Sequence, residues 1–526
     1  MILCRATCVF AKSYAGPAGY DCTRNNLSLP MYIYIYMTVY KFIIRMRSSS
    51  TRDGSPFGVH YIMFMPAILN QGTEEQQALW LPRAWNCSII GSYAQTELGH
   101  GTFIRGLETT ATYDPSTKEF VLHSPTLTSY KWWPGGLGHT ANYCIVVAQL
   151  YTKGHCHGIH SFIIQVRDEE THMPLPGIKV GDIGAKLGLN SVNNGFIGFD
   201  HLRIPRDQML MKHAQVLEDG TYVRNARNAK LNYGAMVFVR VVIVYDMVNY
   251  LSKAVTIATR FSAVRRQSQE PEPQILDYVT QQHKIFIGIA ACHALRLTAN
   301  MLWETFHDVS EQLVGGNLER LPELHALACC LKAVSTADTA MYVERCRLAC
   351  GGHGYMHSSN LPMTYGLVTA ACTYEGENTV LLLQTARVII TSTFYEELRK
   401  LDATVPPEVR LVLEQLVELN SVILICIFRM CIKICTCMFQ YTGISNHDVD
   451  ELQFWYEELL TKLRPNAVGL VDAFDIIDGI LQSTLGAYDG RVYERLMDEA
   501  LKSPLNAEPV NQSFHTHLKP FMQGKL

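Results

Sequence analysis

The segment CTYEGENTV at 372–380 sets Glu375 and Glu377 on either side of Gly376, just ahead of an apolar helical run at 381–387. A carboxylate at a helix start ordinarily caps exposed amides or faces the positive end of the helix dipole, and Glu377 and Asn378 suit that role. Glu375 precedes a glycine that lets the backbone bend and deliver its carboxylate into a neighbouring cavity. Burial there would raise its pKa towards the working pH, as a general base requires. Three other stretches could serve such a centre. YAQTELGHGT at 93–102 sets Thr96 and Glu97 among close glycines, so that a hydroxyl and backbone amides could reach a flat polar ligand. A plain glycine turn explains the same letters, and Glu97 is the competing carboxylate for proton removal. KWWPGGLG at 131–138 offers aromatic surface beside exposed amides, or a core tryptophan pair closing a turn. Arg260, Arg265 and Arg266, with Gln267 beside them, offer guanidinium forks that suit a pyrophosphate, or a solvated basic helix face.

These residues must be carried by distinct kinds of element. Residues 64–71 and 73–81 have helical patterning, with Thr73 as N-cap and Glu74 and Glu75 in the first turn. From about 89 to 212 the signal is β: short apolar runs at 119–122, 143–149 and 161–166 are bounded by Gly, Pro, Asn or Asp. Their spacing predicts a compact antiparallel domain. Beyond 213–227 helices dominate, with broad apolar faces over 280–309 and 321–350. Pro322 sits in a first turn, and Gly351-Gly352 forms a helix stop. Pro406-Pro407 marks a further boundary. Residues 1–57 mix a Tyr-Ile alternation with Ser- and Gly-rich pieces and predict no particular fold.

The 526 residues carry 45 Lys plus Arg against 48 Asp plus Glu, a formal charge of −3, with 48% apolar types. That composition suits a well-buried multidomain protein and gives no reason to expect nucleic acid as a partner. Residues 31–46 are interrupted by Lys41 and Arg45, and 421–439 by Arg429 and Lys433. In a bilayer each charge would cost roughly 2.5–3.5 kcal/mol, so no stable membrane insertion is expected. The 16 cysteines are scattered, with Cys292, Cys329, Cys330, Cys346 and Cys350 on apolar stretches, and read as buried free thiols. Cys426, Cys431, Cys435 and Cys437 lack the CxxC pairs and neighbouring histidines of a zinc site. His155, Cys156, His157 and His160 have ligand chemistry but read as a solvated loop. No metal site is expected.

Taken in order, YAQTELGHGT (93–102), RGLETTATYDP (105–115), KWWPGGLG (131–138), PLPGIKVGDIG (174–184), ACGGHGY (349–355), TYEGENTVLLLQTAR (373–387) and LVDAFDIID (470–478) resemble the peroxisomal acyl-coenzyme A oxidases. These belong to the acyl-CoA dehydrogenase-like flavoproteins. The resemblance runs from about 58 to 387 and resumes near 463–526. It implies a multidomain α+β fold with a helical N-terminal part, a central antiparallel β domain, and a helical bundle followed by a further helical domain. On this chain those would be 58–90, a remnant of the N-terminal helical domain after the atypical 1–57; 91–212; 213–400; and a shortened or altered 401–526. By motif it implies FAD held by Thr96, Gly135, Arg265 and Gln267, with Gly351, Gly352 and Gly354 approaching the FAD of a partner subunit in a homodimer. Glu375 matches the family's base for the substrate α-proton. The implied reaction desaturates acyl-CoA to trans-2-enoyl-CoA and passes electrons to dioxygen, giving hydrogen peroxide, in peroxisomal fatty-acid β-oxidation. The alternatives are a dehydrogenase that uses an electron-transfer flavoprotein, and a catalytically silent acyl-CoA-binding relative. The tail Gly524-Lys525-Leu526 keeps the Lys-Leu of a peroxisomal S-K-L address, with Gly in place of Ser.

Overall fold

The computed structural model describes residues 53–224, 234–314, 317–399, 446–506, 510 and 512–523. Most of the N-terminal segment 1–57, the 421–439 stretch, Pro406-Pro407 and the 524–526 tail lie outside the described residues. The chain divides into two units, one of 1–249, 296–338 and 366–405, the other of 250–295, 339–365 and 406–526.

In the first unit, helices α1 (Met65–Gln71) and α2 (Glu74–Trp85) lead into the β domain. Thr73 caps α2 as its sequence predicts: its hydroxyl accepts from the Gln76 amide, while the Gln76 side chain accepts from the Thr73 amide at 3.0 Å. Gln76 also donates to the carbonyls of Asp207 and Met209, at 2.7 and 2.6 Å. One capping residue therefore ties α2 to the β domain. His60 does similar work in the core. Its Nε2 donates to the Ala84 carbonyl and its Nδ1 accepts from the Gly91 amide, and burial, the dominant effect, lowers its pKa to about 4.

The main sheet contains β1 (Gly91–Ala94), β2 (Thr110–Asp114), β3 (Glu119–His123), β5 (Tyr143–Thr152), β6 (His155–Gln165) and β9 (Leu202–Pro205). A smaller sheet joins β4 (Lys131–Trp132), β7 (Ile178–Asp182) and β8 (Gly195–Phe199). The main sheet is mixed, which corrects the antiparallel expectation: β1 and β2 both run parallel to β5, whose other edge pairs antiparallel with β6. Periodicity reports which face of a strand is buried and is blind to its direction. Since β1 pairs with 143–146 and β2 with 149–151, the chain follows one edge of β5, leaves it as a loop over 95–109, and resumes in the same direction. That excursion carries Thr96 and Glu97. Strands continue past residue 212, where the patterning places the change to helix, as a ribbon of β10 (Ala214–Val216) and β11 (Tyr222–Arg224).

The helical region comprises α3 (Gly234–Val264), α4 (Val279–Val314), α5 (Leu321–Ala349), α6 (Leu361–Ala370) and α7 (Asn378–Arg399). By length and composition 237–264 and 279–313 could cross a membrane, a property the sequence reading passed over. In the fold 89% and 61% of their most apolar windows are buried inside the protein, so core packing accounts for the hydropathy. The second unit also holds α8 (Asn446–Leu463), α9 (Ala467–Asp472), α10 (Asp478–Leu481) and α11 (Val492–Leu501). There Arg260 binds Asp472 Oδ1 through Nε and Nη2 at 2.9 and 2.8 Å, and donates to the Gly486 carbonyl at 2.9 Å.

The loop at 95–109 is anchored by a buried ion pair. Lys131 Nζ meets Glu97 Oε1 at 2.9 Å, and both side chains are wholly inaccessible. Glu97 also accepts from the Thr109 hydroxyl at 2.6 Å, from the amides of Thr109 and Glu108 at 2.9 and 2.8 Å, and pairs with His100 Nδ1 at 3.1 Å. Burial pushes the carboxyl pKa up, but the Lys131 charge and these hydrogen bonds outweigh it and hold Glu97 below the usual carboxylate range. Such a depressed value stabilises the fold at pH above the unfolded carboxyl's pKa of about 4.3, and the contribution is lost as pH falls through the folded value. Lys131→Met should therefore cost about 3–5 kcal/mol by stranding a buried carboxylate. Acid unfolding monitored by tryptophan fluorescence should lose a pH-dependent component in Glu97→Gln; an unchanged acid profile would contradict the pair's assigned role.

Candidate active site

Glu375 lies in the turn between α6 and α7, and its backbone is left-handed, at φ +57°. Gly376 follows at φ +103°, a conformation that favours glycine, and a Cβ there would also come within 2.5 Å of Leu381 Cδ2. A non-glycine residue at positive φ is uncommon and marks a site where surrounding contacts impose the shape. Here α3 and α5 impose it. Arg240 Nε donates to the Glu375 carbonyl at 3.1 Å, and Lys332 Nζ donates to the Gly376 carbonyl at 2.7 Å. Both cationic residues are buried. Lys332 also reaches Asn378 Oδ1 at 3.1 Å, and the Asn378 amide group donates to the Ala333 carbonyl and Thr336 hydroxyl, at 3.1 and 3.0 Å. Asn378 thereby staples the start of α7 to α5, while Glu377 accepts from the Thr379 amide at 2.9 Å as a cap does.

The carboxylate itself is left unpaired. Glu375 Oε2 is buried and has no hydrogen-bond partner, although the residue as a whole is only partly buried. Burial raises its pKa, and the charges of Arg240 and Lys332 oppose that rise without cancelling it. Burial lowers Lys332 to about 8 against the pull of nearby acids. The Tyr93 phenol is raised well above its usual value, chiefly by burial and next by the Glu375 charge. A carboxyl with one buried, unpaired oxygen and an elevated pKa can take a weakly acidic proton. Glu97, with every nearby donor directed at it, cannot do so without losing its ion pair. Tyr93, Arg240 and Lys332 were missed as site members by sequence reasoning. The available signal was two cationic side chains within apolar helical stretches, since Lys and Arg are almost never fully buried unless paired.

The remaining predicted residues fall into two groups. Thr96 and Gly135 lie in the first unit with Glu375. Thr96 lies just past β1 in the 95–109 loop, and its carbonyl accepts from the Trp132 amide at 2.9 Å. Gly135 packs so tightly that a Cβ would stand 2.7 Å from Val59 Cγ2, and its carbonyl accepts from the Ser92 hydroxyl at 2.9 Å. Trp133, two positions before Gly135, is half-exposed and also has a left-handed backbone, at φ +84°.

Arg265, Gln267 and the glycines of ACGGHGY lie in the second unit. Of the three arginines in the basic cluster, Arg260 is occupied by Asp472, and Arg266 donates to the Glu272 carbonyl at 2.7 Å. Arg265 and Arg266 also follow the end of α3 rather than lying within it. Among the described residues the Arg265 guanidinium has neither a hydrogen bond nor an ion pair, and Gln267 is exposed. Gly354 is required by the chain's own packing, because a Cβ would stand 2.1 Å from the Arg347 carbonyl. Gly351, at φ +59°, and Gly352 face open space, with nothing within 4 Å of a built Cβ. A free guanidinium and an open glycine turn fit a pyrophosphate-bearing cofactor such as FAD, since they offer charge and close backbone approach.

One reading of ligand-like residues changes. His155, Cys156, His157 and His160 lie on strand β6 rather than in a solvated loop; His157 stacks on Tyr222 at 4.1 Å and His160 Nε2 meets the Tyr222 hydroxyl at 3.1 Å. Hairpin pairing with β5 and this aromatic contact supply the order that a His- and Gly-rich run does not advertise. Among the described residues one group could hold a metal ion, His123 with Asp200 and His201, whose ligand atoms lie within 4.8 Å of one another. The two imidazoles stack at 3.9 Å and His201 pairs with Asp200 at 2.8 Å, so these residues have mutual contacts without an ion. Among the described residues Cys292, Cys329, Cys346 and Cys350 are buried thiols outside any disulfide, and Cys330 is partly exposed.

Comparison with known proteins matches three family models: Acyl-coenzyme A oxidase N-terminal over residues 37–90, Acyl-CoA oxidase C-alpha1 domain over 233–390, and Acyl-CoA oxidase over 379–523. The matched ranges take in 37–57 and 388–462, which the motifs alone do not cover. Acyl-coenzyme A oxidase 1 of Drosophila melanogaster is 45% identical over 573 aligned residues, covering 91% of this chain and 85% of that protein. Peroxisomal acyl-coenzyme A oxidase 1 of Rattus norvegicus is 43% identical, with 90% and 85% covered. Among solved structures, Arabidopsis thaliana acyl-CoA oxidase 1 superposes with a TM-score of 0.82 at 37% identity, covering 100% of this chain and 95% of that one. Acyl-CoA oxidase-1 of Caenorhabditis elegans, complexed with FAD and ATP, gives 0.82 at 33% identity, covering 99% and 94%. Motifs, fold and overall likeness agree, and the chain belongs to the acyl-CoA oxidase family.

Proposed function

We propose that this protein is an FAD-dependent acyl-CoA oxidase of peroxisomal fatty-acid β-oxidation, with Glu375 as the catalytic base. The observation that carries the base assignment is the buried, unpartnered Oε2 of Glu375 on a left-handed turn. An acyl thioester's α-proton is too weakly acidic for a carboxylate in water. Burial raises the pKa of Glu375 and so makes it a stronger base, and the charges of Arg240 and Lys332 oppose that rise without cancelling it. Oε2 receives the α-proton, and the product is trans-2-enoyl-CoA. The chemistry that bound FAD would supply is that of a hydride acceptor at the β-carbon and of an electron donor to dioxygen, with hydrogen peroxide as the second product. By motif, Arg265 and Gln267 would serve an FAD pyrophosphate, and Thr96 and Gly135 would serve as FAD contacts of the β domain. The open turn at Gly351 and Gly352 supports the approach of a partner subunit's FAD in a homodimer. The peroxisomal assignment follows the names carried by the rat, mouse and human relatives.

Anaerobic addition of acyl-CoA to the yellow holoenzyme should bleach the flavin, and admission of air should restore the colour with stoichiometric peroxide. Slow recolouring without peroxide would assign the dehydrogenase reaction instead. A folded protein that binds acyl-CoA without flavin would assign the silent role.

Glu375→Gln keeps the side chain's size and removes its capacity to accept the proton. Turnover should fall by about 10²–10⁴-fold, with FAD content and acyl-CoA affinity nearly unchanged. Glu377→Gln, which weakens the α7 cap and leaves the Glu375 carboxyl in place, should cost about 1 kcal/mol or less in stability and spare turnover the loss seen in Glu375→Gln. Near-normal oxidation by a folded, flavin-loaded Glu375→Gln protein would reject the assignment.

A further inference from the structure

Two buried cations, on α3 and α5, direct hydrogen bonds to main-chain oxygens of the Glu375 turn and leave the carboxylate Oε2 unpaired. Arg240 Nε reaches the Glu375 carbonyl at 3.1 Å, and its Nη1 donates to Cys329 Sγ at 3.2 Å. Lys332 Nζ reaches the Gly376 carbonyl at 2.7 Å and Asn378 Oδ1 at 3.1 Å. The two acceptor carbonyls belong to consecutive residues with positive φ, at +57° and +103°. An αL residue followed by a strained glycine would relax if left unsupported, and each released carbonyl would be a buried acceptor without a donor. We propose that Arg240 and Lys332 are positioning residues: they clamp the Glu375–Gly376 backbone so that the carboxylate is presented unpaired, and their charges, held beside it, set the pH at which it works as a base.

The inference rests on Glu375 being the base. The titratable and charged groups around the turn are Arg240 on α3, His325, Cys329 and Lys332 on α5, Cys372 and Glu377 beside Glu375, and Tyr93 on β1. Only Arg240 and Lys332 oppose the effect of burial on Glu375. Clamping and tuning therefore come from the same two side chains and separate by substitution. Lys332→Gln keeps a hydrogen-bond donor and removes the charge. Arg240→Lys keeps the charge and removes the planar fork that bonds the carbonyl and the thiol at once.

The test is the pH profile of kcat/KM for the holoenzyme, beside an infrared titration of the Glu375 carboxyl read as a difference from Glu375→Gln. In Lys332→Gln the acid limb and the infrared titration should both move to higher pH by about one unit, because removing a nearby positive charge favours the protonated acid. In Arg240→Lys kcat should fall by up to about 10²-fold from misplacement, with the acid limb unmoved. Flavin content and circular dichroism establish folding. If Lys332→Gln does not fold, the apolar Lys332→Met takes its place with the same upward shift and a larger loss of rate. An unmoved limb in the folded Lys332 variant, or a wild-type rate in Arg240→Lys, overturns the inference. If instead Glu375→Gln stays active, the base reading fails, and the infrared titration still decides whether Lys332 tunes this carboxyl.

Discussion

A carboxylate can be a useful base in a protein only if it is removed from water and yet not neutralised by the partner that burial usually demands. The turn at Glu375 meets that constraint by separating the backbone's needs from the side chain's. The cations Arg240 and Lys332 satisfy the carbonyls of Glu375 and Gly376, so their fields reach the carboxylate while their hydrogen bonds do not. Much of the surrounding architecture serves this division. The apolar faces of α3 and α5 create the dry environment, and the Asn378 staple fixes the start of α7 against α5. Glycine at 376 permits the bend.

The β domain contains the same ingredients with the opposite result. Glu97 and Lys131 are as deeply buried as any charged pair in the described residues, and Glu97 collects donors from Thr109, Glu108, His100 and Lys131. Saturation makes that carboxylate a fastener for the loop between β1 and β2 and removes it from consideration as a base. Burial alone therefore does not identify a reactive acid. What distinguishes Glu375 is the direction taken by the donors around it.

The glycines separate along similar lines. Gly135 and Gly354 are demanded by this chain's own packing, against Val59 and the Arg347 carbonyl. Gly351 and Gly352 face open space, so packing within the chain does not explain both; Gly351 answers to its positive φ, and Gly352 to neither. Likewise, Arg260 and Arg265 stand five positions apart, but one is consumed by Asp472 and the other is left with a free guanidinium. Residue type assigned both to one basic cluster, and their contacts assign them to different work.

The sequence by itself determined the element types and the position of the turn. Thr73 with Gln76, Pro322 and Gly351 mark helix ends through local backbone chemistry that needs no distant partner. Short apolar runs over 119–122 and 143–149 likewise mark strands from neighbouring residues alone, the first buried on one face and the second on both over 143–148. The ordered motifs made the family legible, and Glu375 before Gly376 was legible as a bend carrying an acid. Tertiary structure alone decided strand direction in the sheet, because parallel pairing of β1 and β2 with β5 depends on contacts dozens of residues apart. It alone decided that Glu97 is saturated and Glu375 is not. Their donors come from residues that no local pattern links to them: Arg240 lies 135 positions from the carbonyl it holds, and Lys332 lies 44 from its own. Local propensity follows from the nearest few residues, whereas the reactivity of a buried acid follows from which distant groups the fold brings beside it, and which of its oxygens they leave unpaired.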